Sequence, residues 1–515
     1  MRGRRPSMPS RLFLLAALWA GARAASAQLI AIKTVPIAQG DQFQIFPSAN
    51  LGMGSLSIAL ADSLLDPFIN PALGARVRTP RFLSAPSVYG ISDGAGGGRT
   101  LPLGAVGGMG PWFGGFALAL QQIDPSRPPG SGNNVLTPVA ALPVRGPGLP
   151  SPPTPQATAH GNQYAFAMVG RTLSEAGLAL AASAQWAHLT GVDGVDLLYA
   201  GSAGLQQFGH ALDLRVGALR EWGNARSLQA LALYNRFAMT HDVTYLDPVW
   251  DPATQTFITR PRTEHNRDET NTWGLQLGYA QPLGSAGWRI GWQLTANRMS
   301  HPKLPSYELA NVPVIPWDPG RSSAYDMGVG VSTHEGPTTF GLEASYQPIW
   351  SYTWGDAPAS VVTTGGDAIP AGGKTVENHF RFSNAALRMG VSQLVAVDSL
   401  GKSWELQLGL IVRSVHYHLA QVDHVQVASR ELDQGWVEWT PTWGLSLRFP
   451  DLEIRYRGRV TKGTGRPGSG RPSGVFFASS DATFAGSILV APSGPLTLQE
   501  VSTTTHQVSI AVPLP

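Results

Sequence analysis

The chain predicts an all-β fold, a transmembrane antiparallel β-barrel of about fourteen strands. Three observations lead there: a two-residue alternation of apolar and polar side chains, its recurrence along most of the chain, and a regular alternation of long and short links between the repeats. The clearest example is Gly287 to Asn297. Trp288, Ile290, Trp292, Leu294 and Ala296 share one parity, and Arg289, Gly291, Gln293, Thr295 and Asn297 share the other. Successive side chains of a strand point to opposite faces, so one face is greasy and the other wet. About ten such residues span a bilayer as a tilted strand.

The same rhythm returns at Trp273, Leu275, Leu277 and Tyr279, at Trp404, Leu406, Leu408 and Leu410, at Trp443, Leu445 and Leu447, and at Leu452, Ile454 and Tyr456. Candidate strands fall at 112–122, 162–170, 177–188, 209–220, 226–240, 270–281, 287–299, 322–333, 337–348, 379–394, 403–417, 434–448, 451–460 and 504–512. Fourteen is even, as single-chain bacterial barrels require. The links read long at 123–161, 189–208, 241–269, 300–321, 349–378, 418–433 and 461–503, and short in between. Long loops at one end and tight turns at the other mark an outer-membrane barrel, and an even count puts both termini at the turn end. Inward charges of both signs, among them Asp213, Arg215, Asp326, Glu343, Arg388, Glu405, Glu438, Glu453 and Arg455, belong in the lumen. Arg at mid-depth on the lipid face would cost about 2–4 kcal/mol.

Composition agrees. Charged residues make up 14% of the chain, Gly and Pro number 59 and 41, and 15 Trp suit aromatic girdles. Without Cys there is no disulfide or thiol chemistry. Arg2, Arg4, Arg5 and Arg11, the apolar run Leu12 to Ala20, and Ala25-Ser26-Ala27 form a signal peptide, with cleavage expected between Ala27 and Gln28. Cleavage removes five Arg and no acid, so the formal charge of +3 becomes −2 and no basic face for nucleic acid is left. No later run reaches the length of a membrane helix, so a membrane location is reached with strands.

Residues 28–108 do not alternate. They contain Asn50-Leu51-Gly52-Met53-Gly54, Ile58-Ala59-Leu60-Ala61-Asp62, and Asp66-Pro67-Phe68-Ile69-Asn70-Pro71-Ala72. The order G-M-G, A-L-A-D, N-P-A resembles the N-terminal region of the FadL-type long-chain fatty-acid and hydrocarbon transporters of bacterial outer membranes. The resemblance implies an N-terminal hatch inside the lumen. It divides the chain into a signal peptide (1–27), a hatch (28–108) and a barrel (109–515). It implies an integral outer-membrane channel for uptake of hydrophobic or amphipathic, fatty-acid-like molecules. Capture would occur at the outer loops, with passage to a pocket by the hatch and lateral exit into the membrane. Phe68, Asn70, Pro71 and Ala72 would belong to the gate. Trp317, Trp350 and Trp354, with Trp250 and Phe257, would form the capture surface; the same rings equally suit girdle anchoring. Expected partners are outer-membrane lipid, the hydrophobic substrate and the barrel-insertion machinery. The C-terminus departs from the family, ending Val512-Pro513-Leu514-Pro515 rather than on an aromatic residue.

Two other readings stand beside it: a non-transporting barrel serving as a structural or secretion-system partner, and a porin for polar solutes. No enzyme is expected. Gly372-Gly373-Lys374-Thr375 lacks the earlier glycine of a phosphate loop, where Ala368 stands. His416, His418 and His424 lack a carboxylate at metal-ligand spacing. Ser509 and His506 lie on opposite parities and make no dyad. No catalytic residue, metal or cofactor is assigned.

Overall fold

The computed structural model describes residues 29–124 (except 35, 37 and 41), 160–195, 203–284, 287–301, 307–309, 312–315, 320–357, 359–397, 402–467 and 498–514. The signal peptide, Trp317 and the terminal Pro515 lie outside the described residues. Among the described residues no helix is long and apolar enough to cross a membrane. The chain forms a closed antiparallel wall of sixteen strands.

The wall strand β1 consists of Arg81–Ser84 and Ser87–Ile91. It is followed by β2 (Gly97–Met109), β3 (Trp112–Asp124), β4 (His160–Leu173), β5 (Leu178–Leu189), β6 (Gly204–Glu221), β7 (Ser227–Asp251) and β8 (Thr256–Leu283). The second half is β9 (Trp288–His301), β10 (Gly320–Glu335), β11 (Thr338–Asp356), β12 (Lys374–Val397), β13 (Ser403–Asp423), β14 (Ala428–Arg448), β15 (Glu453–Pro467) and β16 (Leu498–Pro513). Each pairs with its neighbours in sequence. β1 pairs with both β2 and β16, which closes the cylinder. Closure leaves no unpaired edge, the condition for placing a sheet in hydrocarbon.

The alternation sorts by face. On β9, Trp292 and Leu294 are exposed while Thr295 and Asn297 are buried. On β13, Trp404, Leu406 and Leu408 are exposed and Gln407 is buried. Within the wall, Arg215 binds Asp213 at 2.5 Å and Arg455 binds Glu453 at 2.6 Å. A cylinder apolar outside and polar inside is the architecture of an outer-membrane barrel.

All fourteen expected strands are present, but the count is sixteen. The added pair, β1 and β2, falls at 81–109, within the stretch expected to be all hatch. β2 carries five glycines and Pro102, and β1 is broken at Ala85-Pro86, so neither shows a long apolar stripe. Two links read as long loops are also strand. β7 and β8 run to a tip at 252–255, and β13 and β14 to a tip at 424–427. Those extensions pair in full but carry no continuous apolar stripe on the outward face, because no hydrocarbon selects one beyond the membrane band.

Candidate functional site

The site starts from the segment preceding the wall. Its organising residue is Asp62. One carboxylate oxygen accepts from the backbone N–H groups of Ala49 (2.8 Å), Leu64 and Leu65 (both 3.1 Å); the other accepts from Ser48 Oγ (2.5 Å) and Asn50 N (3.1 Å). Those contacts tie 48–50 to the turn that opens the short helix Asp66–Ile69. Asp66 returns the favour, its Oδ2 accepting from Asp62 N at 3.0 Å, the reciprocal pattern that satisfies orphan donors at a helix start. Asn50 donates to the carbonyl of Leu56 at 2.9 Å and closes the loop between. Gly54 ends the one-turn helix Leu51–Met53 with φ of 69°, a conformation glycine adopts without strain. Asn70 caps the next turn by accepting from Ala72 N at 3.1 Å, and Pro71 takes the first helical position, where no N–H is needed.

The segment packs on the inner face of the wall at points all around it. Backbone lies on backbone where the wall offers glycine. A Cβ on Gly409 would fall 2.2 Å from Gly54 N, and one on Gly390 would fall 2.4 Å from the Met53 carbonyl oxygen. On the β9–β10 side, a Cβ on Gly291 would sit 2.5 Å from the Ile58 carbonyl oxygen. Polar wall residues reach in. Glu343 accepts from Ser57 N (2.6 Å) and Ile58 N (2.5 Å), Thr442 from Gly54 N (3.0 Å) and Asn297 from Ile30 N (2.7 Å). Arg215 donates to the Ile69 carbonyl at 2.8 Å and Arg457 to that of Ala49 at 3.2 Å. Lys33 and Glu438 form a buried ion pair at 2.8 Å. Leaving one of such a pair without the other costs about 3–5 kcal/mol.

Against this polar background stand several apolar clusters, two of them rich in aromatic rings. In the first, Phe46 stacks on Phe68 with ring centroids 4.2 Å apart, and Phe166 of β4 meets the pair at 5.3 and 5.2 Å. Ile45, Leu64 and Leu65 of the segment complete it against Leu83 of β1, Val106 of β2 and Ala511 of β16. The adjoining wall is where β1 breaks. Ser84 pairs with Leu103 and Ser87 with Thr100, so Ala85 and Pro86 face Pro102 and Leu101 with no ladder pairing assigned. Neither proline has an N–H to give. Val508 N donates to the Pro86 carbonyl at 2.9 Å on the other side. The second cluster joins Ile30 and Ile32 to Phe380, Phe382, Tyr417 and Leu419 of β12 and β13.

The residues expected at the gate come together. Phe68, Asn70, Pro71 and Ala72 are all buried, Phe68 in the first cluster and Ala72 against Phe113, Ala181 and Leu219 of the wall. Asn70 also approaches Gly217, where a Cβ would fall 2.0 Å from its Oδ1. Trp350 and Trp354 lie elsewhere, on the outward face of β11: Trp350 meets Tyr325 at 5.9 Å and Trp354 stacks on Tyr352 at 4.8 Å. Trp250 lies one residue before the end of β7, exposed. The sequence did not single out Phe46, Phe166 or Lys33. Strand parity marks Phe166 as inward with Tyr164, but nothing in a non-alternating segment signals which apolar residues meet it. His506 pairs with Tyr456 at 2.9 Å, whereas Ser509 is buried on the other face. Among the described residues no group of three or more His, Asp or Glu is placed to hold a metal.

No protein-family model and no curated protein matches the chain. Among solved structures, it is similar to a Pseudomonas aeruginosa FadL homologue at 11% identity, with 92% of this chain and 100% of that one covered and a TM-score of 0.42. It is similar to the Ralstonia pickettii toluene transporter TbuX at 10% identity (92% and 100% covered, TM-score 0.38). It is also similar to the Pseudomonas putida toluene transporter TodX at 11% identity (90% and 96% covered, TM-score 0.38).

Proposed function

We propose that the chain is an outer-membrane channel for uptake of hydrophobic or amphipathic small molecules, stoppered by the segment ahead of β1 acting as a hatch. The observation that carries this reading is the aromatic cluster of Phe46, Phe68 and Phe166 inside a lumen lined by many polar side chains, seated beside the break in β1. A path for ions gains nothing from buried rings; a fatty-acid-like molecule displacing them keeps apolar surface out of water. Apart from the apolar clusters and the Lys33–Glu438 pair, the hatch rests on glycine backbone and on hydrogen bonds spread over many strands, so parts of it can shift without unfolding the wall. The break at Ala85-Pro86 supports lateral exit, because the β1–β2 seam, short of two ladder positions, is the cheapest place to part a closed sheet. The G-M-G, A-L-A-D and N-P-A order supports the same reading.

A barrel that only binds a partner is the second reading, favoured by the buried Lys33–Glu438 pair, which holds the lumen filled. Uptake separates the two. In cells lacking a fatty-acid channel of their own, the wild-type protein should restore uptake of labelled oleate. Phe68→Asp, folded and inserted to the same level, should reduce it at least ten-fold. No uptake by well-inserted wild-type protein would leave the partner reading standing.

A further inference from the structure

On the outward face, register pairs β8 through β12 side by side: Trp273 opposite Arg298, Arg298 opposite Ser323, Ser323 opposite Trp350, and Trp350 opposite Arg381. One step toward the long-loop end, Arg321 stands opposite Tyr352 and Tyr352 opposite His379. The Arg321 guanidinium lies 5.4 Å from the Tyr352 ring centre, and Tyr352 stacks on His379 at 4.6 Å. Strand spacing and rise put Arg298 and Arg321 about 8 Å apart at Cα, and Arg321 and Arg381 about 12 Å.

Among the described residues the acids nearest these arginines are engaged. Glu269 is held by Arg236 at 3.1 Å, Glu377 by Lys374 and His424 at 2.9 Å each, and Asp433 by His418 at 3.1 Å. Glu431 lies two strands beyond Arg381, across from Ala420. Arg298, Arg321 and Arg381 are exposed, and none has a carboxylate partner among the described residues. Three free guanidiniums among indoles at the margin of an apolar band are a charge pattern that needs anions.

Further along the same strands, toward the turns, the outward face opens into an apolar groove of about 400 Å³. Leu277, Trp292, Leu294, Met327 and Val329 line it, and Gly278 and Gly328 lie at its floor. Cations at one end and an apolar groove below match the two ends of an amphiphile.

We propose that β8 to β12 carry a docking site for a phosphate-bearing membrane lipid, its headgroup held by Arg298, Arg321 and Arg381 and one acyl chain laid in the groove. The site rests on the membrane-embedded barrel but not on transport, since it lies on the opposite side of the wall from the hatch. Arg forks phosphate oxygens in a fixed geometry, and the neighbouring rings sit at headgroup depth. Bound lipid would brace β8 to β10 where the wall is thinned by Gly278, Gly291 and Gly328.

The test uses full-length protein in a detergent that preserves bound lipid, titrated with dimyristoyl phosphatidic acid and read by native mass spectrometry. Dimyristoylglycerol provides the same chains without the phosphate. The wild type should retain phosphatidic acid at least ten-fold more strongly than the diacylglycerol. The variant R298Q/R321Q/R381Q should lose that preference, while R298K/R321K/R381K should keep part of it. Heat-modifiable gel migration reports that each variant is a folded barrel. Oleate uptake should be the same in wild type and in the Gln variant, so failure of this site and failure of the uptake reading are distinguishable. Equal retention of both lipids by the wild type, or an undiminished preference in the folded Gln variant, overturns the proposal.

Discussion

Asp62 shows how one side chain can organise a segment that has little regular structure. Five donors converge on its two oxygens, and charge-assisted hydrogen bonds of this kind are worth about 1.5–3 kcal/mol apiece. The sequence displayed Asp62 as the end of A-L-A-D but could not reveal that its partners lie on both sides of it. Asp66 next to it behaves differently. Burial pushes its carboxyl up to about 8 and the Asp62 charge adds to the shift, with Arg76 opposing. Its pKa is raised above that of a free, undocked chain. Docking stability is therefore fullest below pH 4, declines as pH rises toward 8, where the docked carboxyl is half ionised, and levels off above it. Hydrogen exchange of the 62–70 amides, corrected for intrinsic rate, should show protection falling between pH 5 and pH 8. Asp66→Asn should flatten that slope, and an unchanged slope in the variant would assign it to another group.

At the scale of elements, legibility followed hydrocarbon. Strands with a membrane-facing stripe, such as β9 and β13, could be read from parity alone because lipid tolerates only apolar side chains on that face. The polar extensions of β7, β8, β13 and β14 carry no such stripe, so their 241–269 and 418–433 stretches looked like loops. β1 and β2 were hidden by glycine and proline, the residues that also make them unusual. Pro86 and Pro102, at neighbouring positions on the two facing strands, each remove an N–H and weaken the ladder locally. Replacing both with valine, Pro86→Val with Pro102→Val, should restore two donors and stiffen the wall. Oleate uptake should then fall several-fold while the folded barrel becomes more resistant to heat in detergent. Unchanged uptake in this variant would place the exit elsewhere.

At the scale of the whole molecule, closure, inside-out polarity and a lumen contacted all around by one segment form a single device. The wall and its orientation of faces were legible because they are periodic. The interior was not, since contacts such as Lys33 to Glu438 or Ile58 to Glu343 join residues hundreds of positions apart with no local signature. The glycines at 390 and 409 mark where the segment rests, and they give a handle on it. Gly409→Val would drive a side chain into the backbone of Met53 and Gly54. In planar bilayers the wild type should pass little ion current, and this variant should pass substantially more, as the displaced segment uncovers the polar lumen. Equal conductance would mean that the segment does not close the channel.

Whether hydrophobic molecules occupy the space around Phe46 and Phe68 is the question beneath all of this. Mass spectrometry of the purified full-length protein after incubation with oleate answers it most directly. One oleate retained per chain through detergent exchange, and lost in Phe46→Asp with Phe68→Asp, is the expected outcome. Wild-type protein that retains none, or a double variant that retains as much, would contradict a hydrophobic-uptake role for this barrel.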